Sequence, residues 1–423
     1  MKTMASSWCS EPSWFDDGLW TTDSHARWRD KCRAWVSEKL TPNVAAWDAA
    51  GTFPAEAVRC DCYRAGILGA PWPREYGGTP PQGSVLHDGE FDPYYDMIMW
   101  DEIAKCGSGG VIASLFGGHG ISLPVILNHG SRYLKDMVAR DLICGHKSMC
   151  LCVTEPSGGS DVAQLKCTAE WDANRQAFVL NGTKKWITNG MAADYLVVLC
   201  RVTPSEAFTG SGLTFLLVDA AASKGLRRTR MRTQGWLASN TAFIEFDEVL
   251  VAKENVVGEI GHGFRFAMMN FNHERFMMAV QSARFSRMCL SNAISFASRR
   301  QTFGKRLIDH QVIRHKIFEM SSKIEAAQLM IERYCHLVTQ RRPRPVLYGK
   351  AAMIKVTSTK LFEFCAREAS QILGGASFTR PLAGREDNEG SIVERLYREV
   401  RVMAIGGGSE EVMIDLAIKS ARL

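Results

Sequence analysis

Thr154-Glu155-Pro156-Ser157-Gly158-Gly159-Ser160-Asp161 follows an apolar run at 149–153 and gathers small residues and hydroxyls into one short loop. The small residues let backbone approach a ligand closely, and Thr154 and Ser160 add hydroxyl donors. Further along lies Gly182-Thr183-Lys184-Lys185-Trp186-Ile187-Thr188-Asn189-Gly190. A strand presenting Trp186 and Thr188 on one face offers a flat aromatic wall plus a hydroxyl, a pairing suited to a planar heteroaromatic ring. Taken alone, these residues fit two turns and a packed tryptophan equally well. Other chemistries lack their residues. Gly406-Gly407-Gly408 has no third glycine of a dinucleotide fingerprint, and Gly261-His262-Gly263 is followed three residues on by Phe266. His273-Glu274 begins like a zinc-binding H-E-x-x-H, but Met277 stands where the second histidine belongs, so no metal is expected there.

The 423 residues suggest two or three domains to hold these stretches. With 46% hydrophobic and 23% charged residues the composition is ordinary globular, which excludes a disordered, collagen-like or coiled-coil protein. A net charge of +6 is too mild to announce a nucleic-acid binder. Thirteen cysteines, none at C-x-x-C spacing, read as reduced core residues with at least one unpaired thiol. The first twenty residues carry Glu11, Asp16 and Asp17 and no arginine, which fits neither a secretory signal nor a mitochondrial presequence. The uncharged stretch between Lys105 and Arg132 has the length of a membrane span. Its glycines, His119, Pro124, Asn128 and His129 argue instead for a buried helical hairpin broken at the glycines.

Helix-like apolar spacing marks 26–39, 56–65, 96–106 and 112–117, separated by Pro71-Trp72-Pro73 and Tyr76-Gly77-Gly78-Thr79-Pro80-Pro81. Short strands follow at 178–180, 195–200, 213–218 and 243–246, joined by glycine and asparagine turns as in a sandwich or barrel. From Gly263 helical periodicity returns for most of the remaining chain, which reads as a bundle. The expected fold is α+β and multidomain: an N-terminal helical domain over 1–145, a middle β domain over 146–258 and a C-terminal helical bundle over 259–423.

Four stretches, taken together, resemble the signature series of the acyl-CoA dehydrogenase family in order and approximate spacing. They are Cys152-Val153-Thr154-Glu155-Pro156 with Gly159-Ser160-Asp161; Lys185-Trp186-Ile187-Thr188-Asn189-Gly190; Arg300-Gln301-Thr302-Phe303-Gly304-Lys305 followed by His310-Gln311; and Gln371-Ile372-Leu373-Gly374-Gly375. The resemblance runs over nearly the whole chain, from 71–78 to Val412. It implies an α-helical domain, a middle β domain and a C-terminal four-helix bundle. It also implies an FAD between the last two, whose adenosine end reaches a neighbouring subunit of a homodimer or homotetramer. By position, Val153, Thr154, Gly159, Ser160, Trp186 and Thr188 are similar to the family's flavin contacts. Arg300, Thr302, Phe303, Gln371 and Gly375 are similar to the contacts that reach the partner subunit's cofactor. Arg300 makes physical sense as a fixed cation for a pyrophosphate; the alternative is a solvated basic face, Arg299-Arg300. Ser409 and Glu411 join the expected cofactor contacts, at a place suited to a helix start or a ribose.

The family's reaction, as the resemblance implies it, removes the pro-R α-proton of an acyl-CoA thioester with a carboxylate while flavin N5 takes a hydride from Cβ, leaving the trans-2-enoyl-CoA. In most members the base is the glutamate of a Tyr-Glu-Gly-Thr loop. The matching stretch here is Ile405-Gly406-Gly407-Gly408-Ser409, with Gly407 in the glutamate's place. An isovaleryl- and long-chain-type branch carries its glutamate on the long helix that opens the bundle, just before an arginine, and Asn272-His273-Glu274-Arg275-Phe276 stands there. Periodicity agrees: Phe264, Ala267, Phe271, Glu274, Met278 and Phe285 share one helix face. A carboxylate on an apolar stripe is costly unless paired or raised in pKa, the latter being what a general base needs. The bland reading is an ion pair with Arg275 or Arg395, and Glu410 and Glu411 are lesser candidates for the base. Gly407 can still donate its N–H to the thioester carbonyl, and without a side chain it leaves room for Glu274. Ser160, Phe271, Arg275, Gly407 and Gly408 are the expected substrate contacts. Met268, Met269, Met277 and Met278 form either a wall for a medium, long or branched acyl chain or plain core. By family position, 107–120 borders the acyl tail.

Ala421-Arg422-Leu423 is similar to the Ser-Lys-Leu peroxisomal address, so a peroxisome-type organelle is expected, with mitochondrial matrix or cytoplasm as alternatives. That leaves electron-transferring flavoprotein or oxygen as the electron acceptor, although oxidases of the family carry an additional C-terminal domain. The clusters Lys224, Arg227, Arg228, Arg230, Arg232 and Arg341-Arg342-Pro343-Arg344 raise a nucleic-acid-binding relative as an alternative. Solvated faces or CoA phosphates account for them better, and no nucleic-acid partner is expected. A nitroalkane-oxidising relative is disfavoured, since it wants an acid where Gly407 stands.

Overall fold

The computed structural model describes residues 22–81, 91–204, 210–380 and 390–421. The first twenty residues, and Arg422 and Leu423 of the terminal tripeptide, lie outside them. Among the described residues seven helices lead: α1 Asp23–Trp35, α2 Val44–Ala50, α3 Ala55–Arg64, α4 Pro93–Ala104, α5 Gly109–Gly117, α6 Leu123–His129 and α7 Arg132–Ile143. Their starts are encoded locally. Thr22 and His25 close a capping box on α1, Asp92 accepts from the Tyr94 and Tyr95 amides ahead of Pro93 in α4, and Ser131 caps α7. Nearly every residue of α4 is buried, because it packs on both α1 and the bundle.

The 105–132 stretch is a correction to the expected hairpin. α5 runs through a π-helical turn, Gly118–Ser122, straight into α6, since neither Gly117 nor Gly118 leaves helical dihedrals. Gly118 is needed for approach: a Cβ there would lie 2.3 Å from the Met149 carbonyl oxygen. The span Gly109–His129 is long and apolar enough to cross a membrane but is 72% buried within the protein, as a core helix is.

Eight strands form the middle region: β1 Met149–Cys152, β2 Thr168–Asp172, β3 Ala177–Ile187, β4 Tyr195–Val202, β5 Gly212–Asp219, β6 Leu226–Arg230, β7 Ala242–Ala252 and β8 Val256–Val257. They hydrogen-bond in the order β6-β7-β3-β2-β4-β5-β8, with β1 parallel to β4. β4 is apolar from Tyr195 to Cys200 because both its faces are covered there. Tyr195, Val197 and Leu199 meet Leu123, Ile126, Leu134 and Val138 of α6 and α7, while Leu196, Val198 and Cys200 meet Phe178, Leu180, Ile244 and Phe246 inside the sheet. β3 and β7 extend well beyond the 178–180 and 243–246 runs.

The bundle comprises α8 Gly263–Arg299, α9 Gln311–Thr339, α10 Arg344–Leu373, α11 Ser391–Ile405 and the shorter α12 Glu410–Ser420, with a hairpin of β9 Gln301–Thr302 and β10 Lys305–Arg306 between α8 and α9. One apolar cluster joins α1 and α4 to α8, α9, α10 and α11. A buried carboxylate also ties the two helical regions: Glu399 of α11 accepts from the Gly109 amide at 2.7 Å and the Ser108 hydroxyl at 3.3 Å, capping α5. Burial pushes the Glu399 carboxyl up to about 7.

Candidate active site

The 154–161 loop is held from behind by a buried ion pair. Lys184 Nζ donates to Glu155 Oε1 at 2.9 Å and to the Val153 and Leu199 carbonyls at 2.9 and 2.6 Å. Glu155 also accepts from the Lys166 and Cys167 amides at 2.7 and 2.9 Å. Burial opposes its charge, but Lys184 and the two amides prevail and hold the carboxyl below its ordinary range. With Glu155 anchored inward, Thr154, Gly159 and Ser160 are left at the accessible rim, and Val153 is buried beneath. The Lys185 amide donates to the Thr154 carbonyl at 2.9 Å, joining this loop to the tryptophan segment.

Trp186 and Thr188 do not share a regular strand face, as their spacing suggests. The β3–β7 register slips between Lys184 and Ile187, Trp186 takes a left-handed φ of 59°, and β3 ends at Ile187. The bulge turns the indole outward, leaving it 51% exposed with Lys185 Nζ 4.5 Å from its ring centroid. Thr188 follows against Gly117 of α5, and Asn189, also left-handed, donates to the Ser114 carbonyl at 3.0 Å. An exposed tryptophan ring and the accessible hydroxyl-bearing Thr154 segment offer an aromatic face and polar groups, the kinds of contact a planar heteroaromatic ring can use.

On the bundle side, α8 carries Glu274 to the triglycine loop between α11 and α12. A Cβ built on Gly407 would lie 3.9 Å from the Glu274 Cδ, so the helix-borne carboxyl stands where a loop side chain would project. Gly407 and Gly408 take φ of 65° and 101°, and Met278 Sδ would be 3.0 Å from a Gly407 Cβ. Arg275 is not the partner of Glu274. Its Nε donates to the Gly407 carbonyl at 3.0 Å and its Nη1 to Asn272 at 3.0 Å, while Arg395 binds the Gly107 carbonyl at 2.7 Å. Glu274 makes no hydrogen bond among the described residues. Burial pushes its carboxyl above the ordinary carboxylate range, against the pull of Arg275, Lys355 and His273. His273 turns away to Asp96 at 2.6 Å.

Lys355 was not singled out by the sequence. Fully buried on α10, it bridges the Ala404 and Gly408 carbonyls at 2.8 Å each and so fixes both ends of the triglycine loop. Burial lowers its ammonium to about 8. A lysine inside a long amphipathic helix reads as solvent-facing, and only its distant loop partners reveal it. Of the expected stripe, Ala267, Met278 and Phe285 are buried but Phe264 is 41% exposed. Phe271 is half-buried with the Arg275 guanidinium 6.0 Å from its ring, and Met277 is core, pressed on Gly120.

Arg300, Phe303, Gln371 and Gly375 are exposed at the far end of the bundle, and Thr302 is half-buried beside them. Phe303 tips the β9–β10 hairpin at a φ of 50° and 96% exposure. Nothing lies within 4 Å of a Cβ built on Gly374 or Gly375, so backbone there is open to a close-fitting group. Ser409 and Glu411 open α12, where the Glu411 backbone N–H and the Ser409 hydroxyl hold the Glu411 carboxyl below its usual range. Glu410 turns toward Lys360 at 3.6 Å. Of the basic strand cluster, Arg227 pairs with Asp247 and Arg230 with Asn240.

Three family models match: the acyl-CoA dehydrogenase N-terminal domain over 22–146, middle domain over 150–249 and C-terminal domain over 261–421. The chain is 34% identical to acyl-CoA dehydrogenase AFT10-1 of Alternaria alternata, covering 97% of this chain and 94% of that one. It is 29% identical to the mitochondrial short-chain specific acyl-CoA dehydrogenase of Homo sapiens, over 92% and 88%. Among solved structures, a probable acyl-CoA dehydrogenase of Mycobacterium abscessus superposes with a TM-score of 0.84 at 30% identity, covering 95% of this chain and all of that one. The butyryl-CoA dehydrogenase of Megasphaera elsdenii gives 0.81 at 26%, over 95% and 99%. The chain belongs to the acyl-CoA dehydrogenase family, FAD-dependent oxidoreductases that act on acyl-CoA thioesters.

Proposed function

We propose that this enzyme takes the α-proton of its acyl-CoA with Glu274, in the manner of the isovaleryl- and long-chain-type branch, and that Gly407 serves the reaction through its backbone alone. The observation that carries this reading is the Glu274 carboxyl, unpaired, raised in pKa and standing beside Gly407. When bound, FAD supplies the hydride acceptor for the β-carbon; Val153, Thr154, Gly159, Ser160, Trp186 and Thr188 would hold it. Glu274 accepts the α-proton on a carboxylate oxygen. The Gly407 N–H donates to the thioester oxygen, and Arg275 and Lys355 keep that loop in place by binding its carbonyls. The acyl chain lies toward Met278 and the wall around Gly120, which suits a medium, long or branched group. Arg300, Thr302, Phe303, Gln371 and Gly375, exposed away from Glu274, contribute to the cofactor site of a neighbouring copy.

Anaerobic mixing of the purified flavoprotein with straight and branched acyl-CoAs tests the reading. Medium, long or branched thioesters should bleach the flavin and Glu274→Gln should lose the bleaching; a Gln variant that bleaches at the wild-type rate overturns the assignment. Supplying electron-transferring flavoprotein or oxygen as sole acceptor then identifies the reoxidant.

A further inference from the structure

Away from this site, on the outer surface of the N-terminal helical region, three side chains of different chemistry converge. Glu56 and Cys60 sit four residues apart on α3 and so share a face. His146 comes from the turn after α7. The thiol, imidazole and carboxylate ligand atoms all lie within 4.8 Å of one another. Cys60 Sγ and His146 Nδ1 are 3.6 Å apart. A tetrahedral zinc ion, with Zn–S about 2.3 Å and Zn–N about 2.0 Å, sets its sulfur and nitrogen ligands about 3.5 Å apart.

The backbone that presents these groups is fixed without a metal. The His146 and Lys147 amides both bind the Asp141 carbonyl, at 2.9 and 3.2 Å, which closes the turn. Arg59 Nε binds the Gly145 carbonyl at 3.2 Å. Gly145, at φ 88°, passes so near α3 that a Cβ there would lie 2.8 Å from the Arg59 carbonyl carbon and 2.9 Å from the Cys60 nitrogen. The close approach brings the imidazole to the thiol, and Glu56 and Cys60 are already in register on their helix.

We propose that Glu56, Cys60 and His146 form a binding site for a borderline-soft divalent cation, zinc above all, with water in the fourth position. The mixed sulfur, nitrogen and oxygen set excludes magnesium and calcium, which take oxygen ligands. On binding, Cys60 gives up its thiol proton to solvent as the metal–sulfur bond forms, with no change in oxidation state. The ion clamps α3 to the end of α7 and leaves the Glu274 site untouched.

The test uses the flavin-loaded, chelator-treated full chain and cobalt(II) as probe, read at wavelengths beyond the flavin band. One equivalent of cobalt should give the intense absorption of a tetrahedral thiolate site, and zinc should abolish it. Cys60→Ser should remove the signal and His146→Ala should weaken it, while flavin content and acyl-CoA turnover stay at wild-type level. Zinc should also raise the melting temperature of the wild type but not of Cys60→Ser. Absence of a saturable signal, a weak octahedral spectrum, or an equal signal in Cys60→Ser overturns the proposal.

Discussion

Two glutamates, Glu155 buried and Glu274 half-buried, each close to a buried lysine, meet opposite fates. Glu155 and Lys184 are in contact at 2.9 Å, every nearby donor is used, and the carboxyl is held ionised. Glu274 and Lys355 influence each other's charge but do not bond: the lysine is spent on two loop carbonyls and the carboxyl is pushed upward. A satisfied carboxylate builds a wall, whereas an unsatisfied one remains available to move a proton. The same residue types thus take opposite charge states in the β region and in the bundle, and the number of donors around each carboxyl decides which.

The contrast can be broken most sharply at Glu274. Glu274→Gln should lower the dehydrogenation rate by roughly 10²–10⁴-fold, as loss of a general base does, with flavin content unchanged; stopped-flow bleaching measures it. Next, Lys184→Met strands a charged Glu155 in the interior and should cost about 3–5 kcal/mol of stability, read by urea denaturation together with loss of bound flavin. Lys355→Met should cost about 1–3 kcal/mol, because two carbonyls lose their donor. Removing that cation also raises the Glu274 pKa further, so the acid limb of the kcat/KM profile should move to higher pH. The smallest effect is one of sign. Glu155, depressed in the fold, contributes stability at neutral pH that is lost as pH falls through its folded pKa. Glu274, raised in the fold, subtracts stability at neutral pH and subtracts less as it protonates. Glu274→Gln should therefore melt higher than wild type near neutrality, the difference closing in acid. A Glu274→Gln protein that melts lower at neutral pH shows the carboxylate to be a structural partner after all.

The layout of helices, strands and helices was legible because each region keeps one period, and the approach of Glu274 to Gly407 was legible because Glu274 interrupts an apolar stripe. What escaped depended on partners far along the chain. Lys184 finds Glu155 across 29 residues, Lys355 finds Gly408 across 53, and Glu399 reaches Gly109 across 290. No local pattern marks these side chains, since each partner lies far along the chain. The bulge at Trp186 was hidden similarly: strand spacing put Trp186 and Thr188 on one face, and only the pairing with β7 shows the slip. The hairpin expected at 105–132 failed for the converse reason, because glycines that usually break helices serve here to let one pass close to a strand.

The wide turn at Gly118–Ser122 has a consequence for how this family member can change. A π-turn carries one residue more than an α-turn, so losing a residue there would restore α geometry while both flanking helices keep their ends. Gly120, inside that turn, faces Met277 on the helix that carries Glu274. A single codon deleted or inserted at this point would shift the Gly120 backbone that presses on Met277 and bonds to His273, both on the helix that carries Glu274, which makes chain length, as well as side-chain identity, a variable open to evolution here.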